Sequence, residues 1–237
     1  MNATAIEWTD ATWNPMSGCT KISPGCKYCY AHTLAENKRG TRAFPTGFDL
    51  TIRRHKLDEP RRLRAASMVF VNSMSDLFLP EVGDDYRDAV FAVMAAETRH
   101  RYQVLTKRPE VASRYLAGTS VPRHIWLGVS VENADYLGRV DILRSIDVQV
   151  RFISAEPLLG PLDGLDLDGL SWVITGGESG THLARPEVAE RRALVRRAAC
   201  GWEPRPDRVP WVRDIRDRCE VAGVAFFHKQ WGGTRPK

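Results

Sequence analysis

Three cysteine thiols lie within eleven residues near the start of the sequence, at Cys19, Cys26 and Cys29, in the spacing C-x6-C-x2-C. Thiols this close together in a chain with an odd number of cysteines are typical of metal or redox sites rather than of disulfides. The other two cysteines, Cys200 and Cys219, are remote in sequence and are interpreted as ordinary thiols. The stretch therefore predicts a metal-binding loop.

Two kinds of metal site are compatible with this loop. A structural zinc site takes four ligands, and His32, three residues after Cys29, would complete a Cys3His set. An iron–sulfur cluster normally takes four thiolates, so a cubane held by only three leaves one iron without a protein ligand. A cofactor or substrate can bind at such an open iron. The residues of the loop leave both alternatives open.

The elements that must position the loop are short apolar runs alternating with helical patterns. Strands are predicted at Ala11–Trp13 (weakly), Met68–Val71, Tyr102–Leu105, Ile125–Val129, Val150–Ile153, Trp172–Ile174 and Val224–Phe227. Amphipathic helices are predicted over Glu81–Thr98, Ala134–Ile146 and Asp207–Ala222, the last with Asp207 as N-cap and Gly223 at its end. Continuous apolar runs favour buried parallel strands, so the alternation predicts one α/β domain with a parallel sheet.

Polar and ionisable residues follow six of these strands. In strand order they are Asn72, Ser73, Ser75 and Asp76; Lys107 and Arg108; Ser130, Glu132 and Asn133; Ser154 and Glu156; Gly176, Gly177 and Glu178; and His228, Lys229 and Gln230. The carboxyl ends of parallel strands form one face of the sheet, and that face carries the active site in such folds. The cysteine loop follows the weak first strand, so we expect it on the same face.

The positive charge is concentrated in two segments. Residues 38–64 hold nine Lys or Arg against three Asp or Glu, and residues 181–237 hold thirteen against seven, so each segment carries a net +6 in a chain of net +5. Two basic segments on a mildly acidic body are compatible with a polyanionic partner such as a nucleic acid, although solvated surfaces would give the same pattern.

The N-terminal residues show no basic stretch followed by an apolar run, and no run of about 18 apolar residues occurs in the sequence. We therefore expect a soluble, cytoplasmic protein without a membrane partner.

The cysteine loop resembles that of the radical S-adenosylmethionine (SAM) superfamily, in which three cysteines follow the first strand of a (β/α) barrel and an aromatic residue, here Tyr28, commonly precedes the last one. The usual spacing is C-x3-C-x2-C, so this loop has three additional residues.

The sequence also resembles, nearly end to end, an uncharacterised phage-associated and bacterial family described as radical-SAM-like. The segments that carry this resemblance are WTDATWNP, CTKISPGCKYCYA, NSMSDLF, LTKRP, WLGVSVEN, SAEPLLG, VITGGESG and FFHKQWGG. Relative to it, residues near 187–208 look like a basic insertion.

The resemblance implies a partial or near-complete (β/α) barrel of about six to seven parallel strands over residues 1–237, in a bacterial host cell. It implies that Cys19, Cys26 and Cys29 bind a [4Fe-4S] cluster whose open iron chelates SAM. An electron donor such as flavodoxin or ferredoxin would reduce the cluster, and SAM would be cleaved to methionine and a 5′-deoxyadenosyl radical that abstracts hydrogen from a substrate.

Site residues also follow from the resemblance. For the methionine amine it points to Asn72, Ser73, Ser75 and Asp76, for the ribose to Ser130, Glu132 and Asn133, and for close approach of the cofactor to Gly176, Gly177 and Glu178. The candidates for catalysis on the substrate are Lys107, Glu156, His228 and Lys229.

Three hypotheses follow. The first is a radical SAM enzyme acting on a nucleic acid or nucleotide base, for which the basic segments and the phage association are the motivation. The second is a zinc-stabilised nucleic-acid-binding module that uses the three cysteines and His32 without catalysis. The third is an electron carrier that holds a cluster without binding SAM. The type of reaction on the substrate is not encoded in any recognisable motif.

Overall fold

The computed structural model describes residues 2–235. Within them the strands are β1 (Asn2–Ala3), β2 (Ala11–Trp13), β3 (Met16–Ser17), β4 (Thr51–Ile52), β5 (Met68–Val71), β6 (Arg101–Thr106), β7 (Ile125–Ser130), β8 (Arg151–Ala155), β9 (Trp172–Gly176), β10 (Val195–Ala198), β11 (Gly201–Pro204) and β12 (Ala225–Gln230). The α-helices are α1 (Tyr30–Glu36), α2 (Glu59–Arg62), α3 (Asp84–Ala96), α4 (Pro109–Leu116), α5 (Gly138–Arg144), α6 (Pro186–Arg192) and α7 (Val209–Ala222).

Eight strands form the main sheet, in the order β1-β2-β5-β6-β7-β8-β9-β12. Strand β1 pairs antiparallel with β2, whereas the seven strands from β2 to β12 run parallel to one another. The order follows the chain, as in a barrel, but within the described residues the two outer strands do not pair with each other, so the sheet is a curled half-barrel. The predicted α/β fold with a partial parallel barrel is confirmed, including its weak first strand.

The two faces of the sheet carry separate apolar clusters, because alternate strand residues point to opposite faces. The convex cluster joins strands and helices and includes Val71, Val104, Leu127 and Ile153 with Met94, Leu143 and Ile215. The concave cluster contains Trp8, Phe70, Phe152 and Ile174. Helices α3, α4, α5 and α7 therefore pack on the convex side, and the concave side is available for a site.

Trp8 occupies the amino-end part of the concave face. Its ring lies 4.7 Å from that of Phe70 and 6.0 Å from that of Trp172, between centroids. Its carbonyl oxygen accepts a hydrogen bond from Gln103 Nε2 at 3.0 Å. The segment before β2 thus fills the floor of the half-barrel, and the polar strand-end residues lie above it.

Helix α7 begins differently from the sequence-based prediction. Arg208 is its N-cap, without a side-chain cap, whereas the carboxylate of Asp207 pairs with Arg205. The prediction of Asp207 as the cap is therefore wrong, because a nearby guanidinium binds its carboxylate. The end of the helix is confirmed, since Gly223 follows it with a φ of +67°.

The segment near 187–208, predicted as a basic insertion, contains most of α6 and the hairpin β10–β11. In the part of the chain that the structure describes, no helix combines the length and apolar character needed to cross a membrane.

Candidate functional site

The three cysteines lie on the segment between β3 and α1, at the carboxyl-end face of the half-barrel. Cys19 follows β3, Cys26 ends a single 3-10 turn, and Cys29 immediately precedes α1. All three side chains are half-buried. Gly18 has a φ of +95°, and a Cβ there would lie 2.3 Å from a backbone oxygen, so only glycine fits where the chain leaves β3.

Arg108, at the carboxyl end of β6, anchors the beginning of the loop. Its Nη1 lies 3.1 Å from Asp76 Oδ2 and 3.7 Å from Cys19 Sγ. Its Nη2 donates to the carbonyl and hydroxyl oxygens of Thr20 at 2.9 and 2.7 Å. Asp76 also accepts hydrogen bonds from the hydroxyl of Thr106 and the backbone N–H groups of Lys107 and Phe78. The carboxylate of Asp76 is thus fully occupied in holding Arg108 and the strand end.

Glu132, beyond the carboxyl end of β7, anchors the middle of the loop. Its side chain is fully buried. One carboxylate oxygen accepts from Ser23 Oγ at 2.5 Å and lies 3.2 Å from Lys107 Nζ, and the other accepts from Arg139 Nη1 at 2.9 Å. Gly25 packs against the same carboxylate, from which a Cβ would lie 2.5 Å away. Asp76 and Glu132, the carboxylates predicted to contact the amine and the ribose of SAM, therefore also take part in positioning the loop.

Arg192, the last residue of α6, anchors the far side of the loop. It forms a two-point ion pair with Glu178, at 2.5 and 2.6 Å, and donates to the carbonyl oxygen of Pro24 at 2.9 Å. The ring of Tyr28 stacks on that of His182, with centroids 4.0 Å apart and planes 9° apart. The loop is thus held from three strand ends, those of β6, β7 and β9.

Cys19 and Cys26 differ electrostatically. Burial, together with the nearby Asp76 carboxylate, raises the pKa of the Cys19 thiol to about 11, although Arg108 opposes this shift. Burial acts in the same direction on Cys26, but hydrogen bonds from Ser23 and from the backbone outweigh it and lower the pKa of that thiol. The thiolate is the form that binds metal, and these environments favour the thiolate more at Cys26 than at Cys19.

Asn72 differs from the other predicted residues at the end of β5. Its φ is +62°, and its buried side chain has no hydrogen-bond partner for either amide atom among the described residues. Ser73 bonds to Asn14 instead, and Ser75 bonds to the carbonyl oxygen of Met16. Buried polar atoms are normally paired. Asn72 is therefore the residue of this group with free hydrogen-bonding capacity.

At the end of β7, Ser130 is buried and its carbonyl oxygen accepts from Arg139. Asn133 donates to Asp135 through Nδ2, whereas its buried Oδ1 has no partner among residues 2–235. The structure thus places a second amide side chain with an unpaired atom on this face of the sheet.

Glu156 and Lys229 meet on the concave face, with Lys229 Nζ 2.6 Å from Glu156 Oε2. The strand between them contributes Gly176, where a Cβ would lie 3.0 Å from the same Oε2, so the glycine leaves room for the pair. At Gly177 a Cβ would lie 1.9 Å from the carbonyl oxygen of Trp231. Only glycine therefore allows β9 and the end of β12 to approach this closely.

His228 does not lie with Lys229. Its Nδ1 is 2.9 Å from the hydroxyl of Thr175, and its ring is 4.5 Å from that of Trp231. Phe227 belongs to the concave cluster and Phe226 contacts the convex one, so alternation places His228 on the convex side. Burial lowers the pKa of His228. Of the four predicted catalytic residues, Glu156 and Lys229 form a pair, Lys107 contacts Glu132, and His228 is separate.

The described side chains can be compared with the donors that each kind of metal site needs. Across the described residues, no three Cys, His, Asp or Glu side chains converge on one metal-ion position. His32 instead packs edge-on against Phe48, with centroids 5.4 Å apart. A closed zinc site needs four donors on one ion, which this arrangement does not provide. Three half-buried thiols along one anchored loop have the donor chemistry of a multinuclear iron–sulfur cluster.

Several residues that build the site were not predicted to have this role. They are Ser23, Arg139, His182 and Arg192. Arg192 lies within the segment predicted as a basic insertion, and its charge was the only signal that pointed to it. Its partner in the loop, Pro24, is 168 positions away in sequence, so no local pattern could identify the contact.

A cavity of about 470 Å³ adjoins the loop on its outer side. Ile22, Lys107, Arg108, Tyr136 and Arg139 are among its lining residues. The cavity lies between the N-terminal ends of α4 and α5, next to the first two anchors of the loop.

A family model described as "Protein of unknown function (DUF5131)" matches residues 3–237. No curated protein matches the sequence significantly. The fold is similar to that of spore photoproduct lyase. A cysteine-to-serine mutant of the lyase gives a TM-score of 0.62 at 12% identity, and a complex with dinucleoside spore photoproduct gives 0.60 at 12%. A double mutant with bound AdoMet and dinucleoside spore photoproduct gives 0.57 at 13%. Each similarity covers 96% of this chain and 78% of the other.

Proposed function

The chain belongs to the family described as "Protein of unknown function (DUF5131)", and for this member we propose a radical SAM enzyme that modifies a nucleic acid or nucleotide base. The observation that carries the proposal is the loop with Cys19, Cys26 and Cys29, held at the carboxyl-end face of a parallel half-barrel. Support comes from the fold, which is shared with a lyase that has been observed with bound AdoMet, the same molecule as SAM.

Cys19, Cys26 and Cys29 would hold a [4Fe-4S] cluster with one iron free for SAM. When reduced by an external one-electron donor, such a cluster supplies the electron that cleaves SAM to methionine and a 5′-deoxyadenosyl radical, which abstracts a hydrogen atom from the substrate. The three anchors of the loop fix the positions of the thiols. The protein's part is thus to orient the cofactor, tune it and exclude water.

Asn72 would bind the amino or carboxylate group of SAM. Its amide carries both a donor and an acceptor, both buried and without partners among residues 2–235, at the strand end next to the loop. Leaving such groups unpaired costs about 1–3 kcal/mol each, so a polar ligand at this position offsets a real penalty. The same argument assigns Asn133 Oδ1 to a hydroxyl group of the ribose.

Glu156 and Lys229 would contact the substrate. Their ion pair is partly exposed on the concave face, with 14% and 25% of the two side chains accessible. An ammonium group has three N–H donors, and the pair with Glu156 occupies one of them. Lys229 can therefore donate a hydrogen bond to a carbonyl oxygen of a nucleobase or to a phosphate oxygen of a nucleic-acid backbone.

The cations of the basic segments that form no ion pair within the protein support a nucleic acid as substrate. Many of their cations are paired internally, for example Arg39 with Glu36 and Arg61 with Asp58. Four exposed side chains in the first segment have no partner among the described residues, namely Lys38, Arg42, Arg62 and Arg64. Cations without intramolecular partners can contact phosphates without breaking an ion pair, and their counterions are released on binding.

The test is anaerobic reconstitution with iron and sulfide, followed by SAM and a reductant. We expect about four irons and four sulfides per chain and the formation of 5′-deoxyadenosine. Loss of the cluster in Cys19→Ala, Cys26→Ala and Cys29→Ala, but not in the matched control Cys200→Ala, would support the assignment. One zinc per chain without cleavage of SAM would replace it with the zinc-binding module, and a cluster without affinity for SAM would replace it with the electron carrier.

A further inference from the structure

Arg108 brings a full positive charge into contact with a thiol of the loop. Within residues 2–235 it is the charged side chain that hydrogen-bonds to a cysteine of the loop, with Nη1 3.7 Å from Cys19 Sγ. Among the described residues, the other side-chain contact with a loop thiol is that of the neutral hydroxyl of Ser23, 3.5 Å from Cys26 Sγ, whose proton goes to Glu132. Arg108 is 6% exposed, so solvent screens its charge only weakly.

We propose that Arg108 tunes the reduction potential of the cluster bound by the loop, raising it by donating a charged hydrogen bond to the Cys19 sulfur. The inference rests on the proposed function, because it requires a cluster at these cysteines. Reduction adds one negative charge to the cluster. A nearby buried cation and an N–H donor aimed at a ligand sulfur both stabilise the more negative, reduced form.

The geometry of Arg108 is fixed from two sides. Asp76 binds the same nitrogen that contacts Cys19, and Thr20 accepts two hydrogen bonds from the other terminal nitrogen. Asp76 is buried and pairs with the same guanidinium nitrogen, and its negative charge acts on the Cys19 sulfur at least as strongly as the positive charge of Arg108 does. Because Asp76 neutralises the charge of Arg108, the main effect of Arg108 on the reduction potential comes from its direct hydrogen bond to the Cys19 sulfur.

Thr20 connects this arrangement to the unusual spacing of the cysteines. It lies in the six-residue stretch between Cys19 and Cys26, together with Ser23 and Pro24, which contact Glu132 and Arg192. The longer stretch thus supplies the oxygen atoms by which strand-end side chains hold the loop. A shorter loop would lack some of these hydrogen-bonding groups, and without Thr20 as acceptor Arg108 would lose its fixed orientation toward sulfur.

The experiment is a redox titration of the reconstituted full-length protein, followed by electron paramagnetic resonance of the reduced state. Arg108→Lys retains a charge but cannot contact Asp76, Thr20 and Cys19 together. We expect its reduced-to-oxidised ratio at a fixed potential to fall about tenfold, equivalent to about 59 mV for a one-electron couple. The control is Arg87→Lys, another buried arginine, on α3, which binds Asp84 and the backbone carbonyl oxygens of Leu77 and Leu79 but no residue of the loop.

A second measurement needs no variant. Wild-type protein labelled with ¹⁵N-arginine should show ¹⁵N coupling to the reduced cluster in pulsed resonance experiments, and Arg108→Lys should lose it. An unchanged potential in Arg108→Lys, or no ¹⁵N coupling in a wild-type protein that carries the cluster, overturns the inference while leaving the proposed function intact. Failure of the wild-type protein to assemble a cluster overturns both.

Discussion

Arg192 and Glu178 form a two-point ion pair, with Nε 2.5 Å from one carboxylate oxygen and Nη2 2.6 Å from the other, and Nη2 also donates to the carbonyl oxygen of Pro24. Both side chains are largely buried, at 12% and 5% exposure. The pair connects α6 and the end of β9 to the stretch between the first two loop cysteines. A segment outside the loop thereby determines where the cysteines lie.

Replacing Arg192 by Gln should therefore weaken metal retention. The Pro24 carbonyl would lose its donor and the loop would move more freely, and loss of a residue that orients metal ligands typically costs about 10–100-fold in affinity. We expect iron release to a chelator to become at least about tenfold faster than in wild type. The matched control is Arg196→Gln on the hairpin, whose exposed pair with Glu203 does not contact the loop. Equal release rates in the two variants would contradict the anchoring role.

His32→Phe distinguishes zinc from a cluster directly. The ring of His32 packs edge-on against Phe48, a contact that phenylalanine can reproduce. If the loop binds a cluster through three thiolates, the variant should retain about four irons per chain after reconstitution, measured by metal analysis. A Cys3His zinc site would instead lose its metal. If the wild-type protein binds zinc and His32→Phe does not, the Cys3His zinc site is established instead of the cluster.

Glu132→Gln should destabilise the protein strongly. The buried carboxylate faces Lys107 and Arg139, and a neutral amide would leave two cations without a counter-charge. Removing one member of a buried ion pair costs about 3–5 kcal/mol, so we expect the free energy of unfolding in urea to fall by about 3 kcal/mol. Glu203→Gln removes a carboxylate from an exposed pair and should stay within about 1 kcal/mol of wild type. A small effect at Glu132 would show that solvent screens this cluster.

The fold could be predicted from the sequence more fully than the site. All seven parallel strands are predicted correctly, five of them because a buried strand is a continuous apolar run; β2 (Ala-Thr-Trp) gives only a weak signal, and β12 is half-exposed. The hairpin β10–β11 was missed, since its strands contain Arg196 and Arg197 and resemble a solvated basic segment. The strand ends were also identified correctly as the place where polar residues gather.

Individual roles at those strand ends could not be predicted. Asp76 and Glu132 are expected to contact SAM, and this contact stays a prediction; the structure adds that their carboxylates bind Arg108 and Ser23. The partners that decide this lie 32 and 109 positions away in sequence, so they become neighbours only through the tertiary fold. Asn72, in contrast, was expected at the cofactor and has its amide free; the contact itself remains a prediction.

Gly177→Ala tests the contact between β9 and the end of β12. A Cβ would lie 1.9 Å from the carbonyl oxygen of Trp231, and two backbone segments cannot both move away without breaking the hydrogen bond from Gly177 N to Gln230 O. We expect a loss of about 3 kcal/mol in the free energy of unfolding, the upper end of the usual cost of overpacking. Gly138→Ala is the control, because Gly138 begins α5 and has no heavy atom within 4 Å of its added Cβ. That change should be neutral or stabilise the protein by a few tenths of a kcal/mol, up to about 1.

Binding of nucleic acid should depend on the unpaired cations and not simply on net charge. Arg62 and Arg64 have no partner among the described residues, whereas Arg39 and Arg61 form ion pairs with nearby carboxylates. The double variants Arg62→Gln/Arg64→Gln and Arg39→Gln/Arg61→Gln remove the same charge. If the free cations contact phosphates, only the first should reduce the slope of log K against log salt, by about 0.9 per lost contact on duplex DNA or about 0.7 on single strands. Fluorescence anisotropy with labelled oligonucleotides from about 50 to 200 mM salt measures the slope.

Equal slopes for both variants would show that net charge alone attracts the polyanion. Absence of binding at low salt would direct the search to a small-molecule or protein substrate.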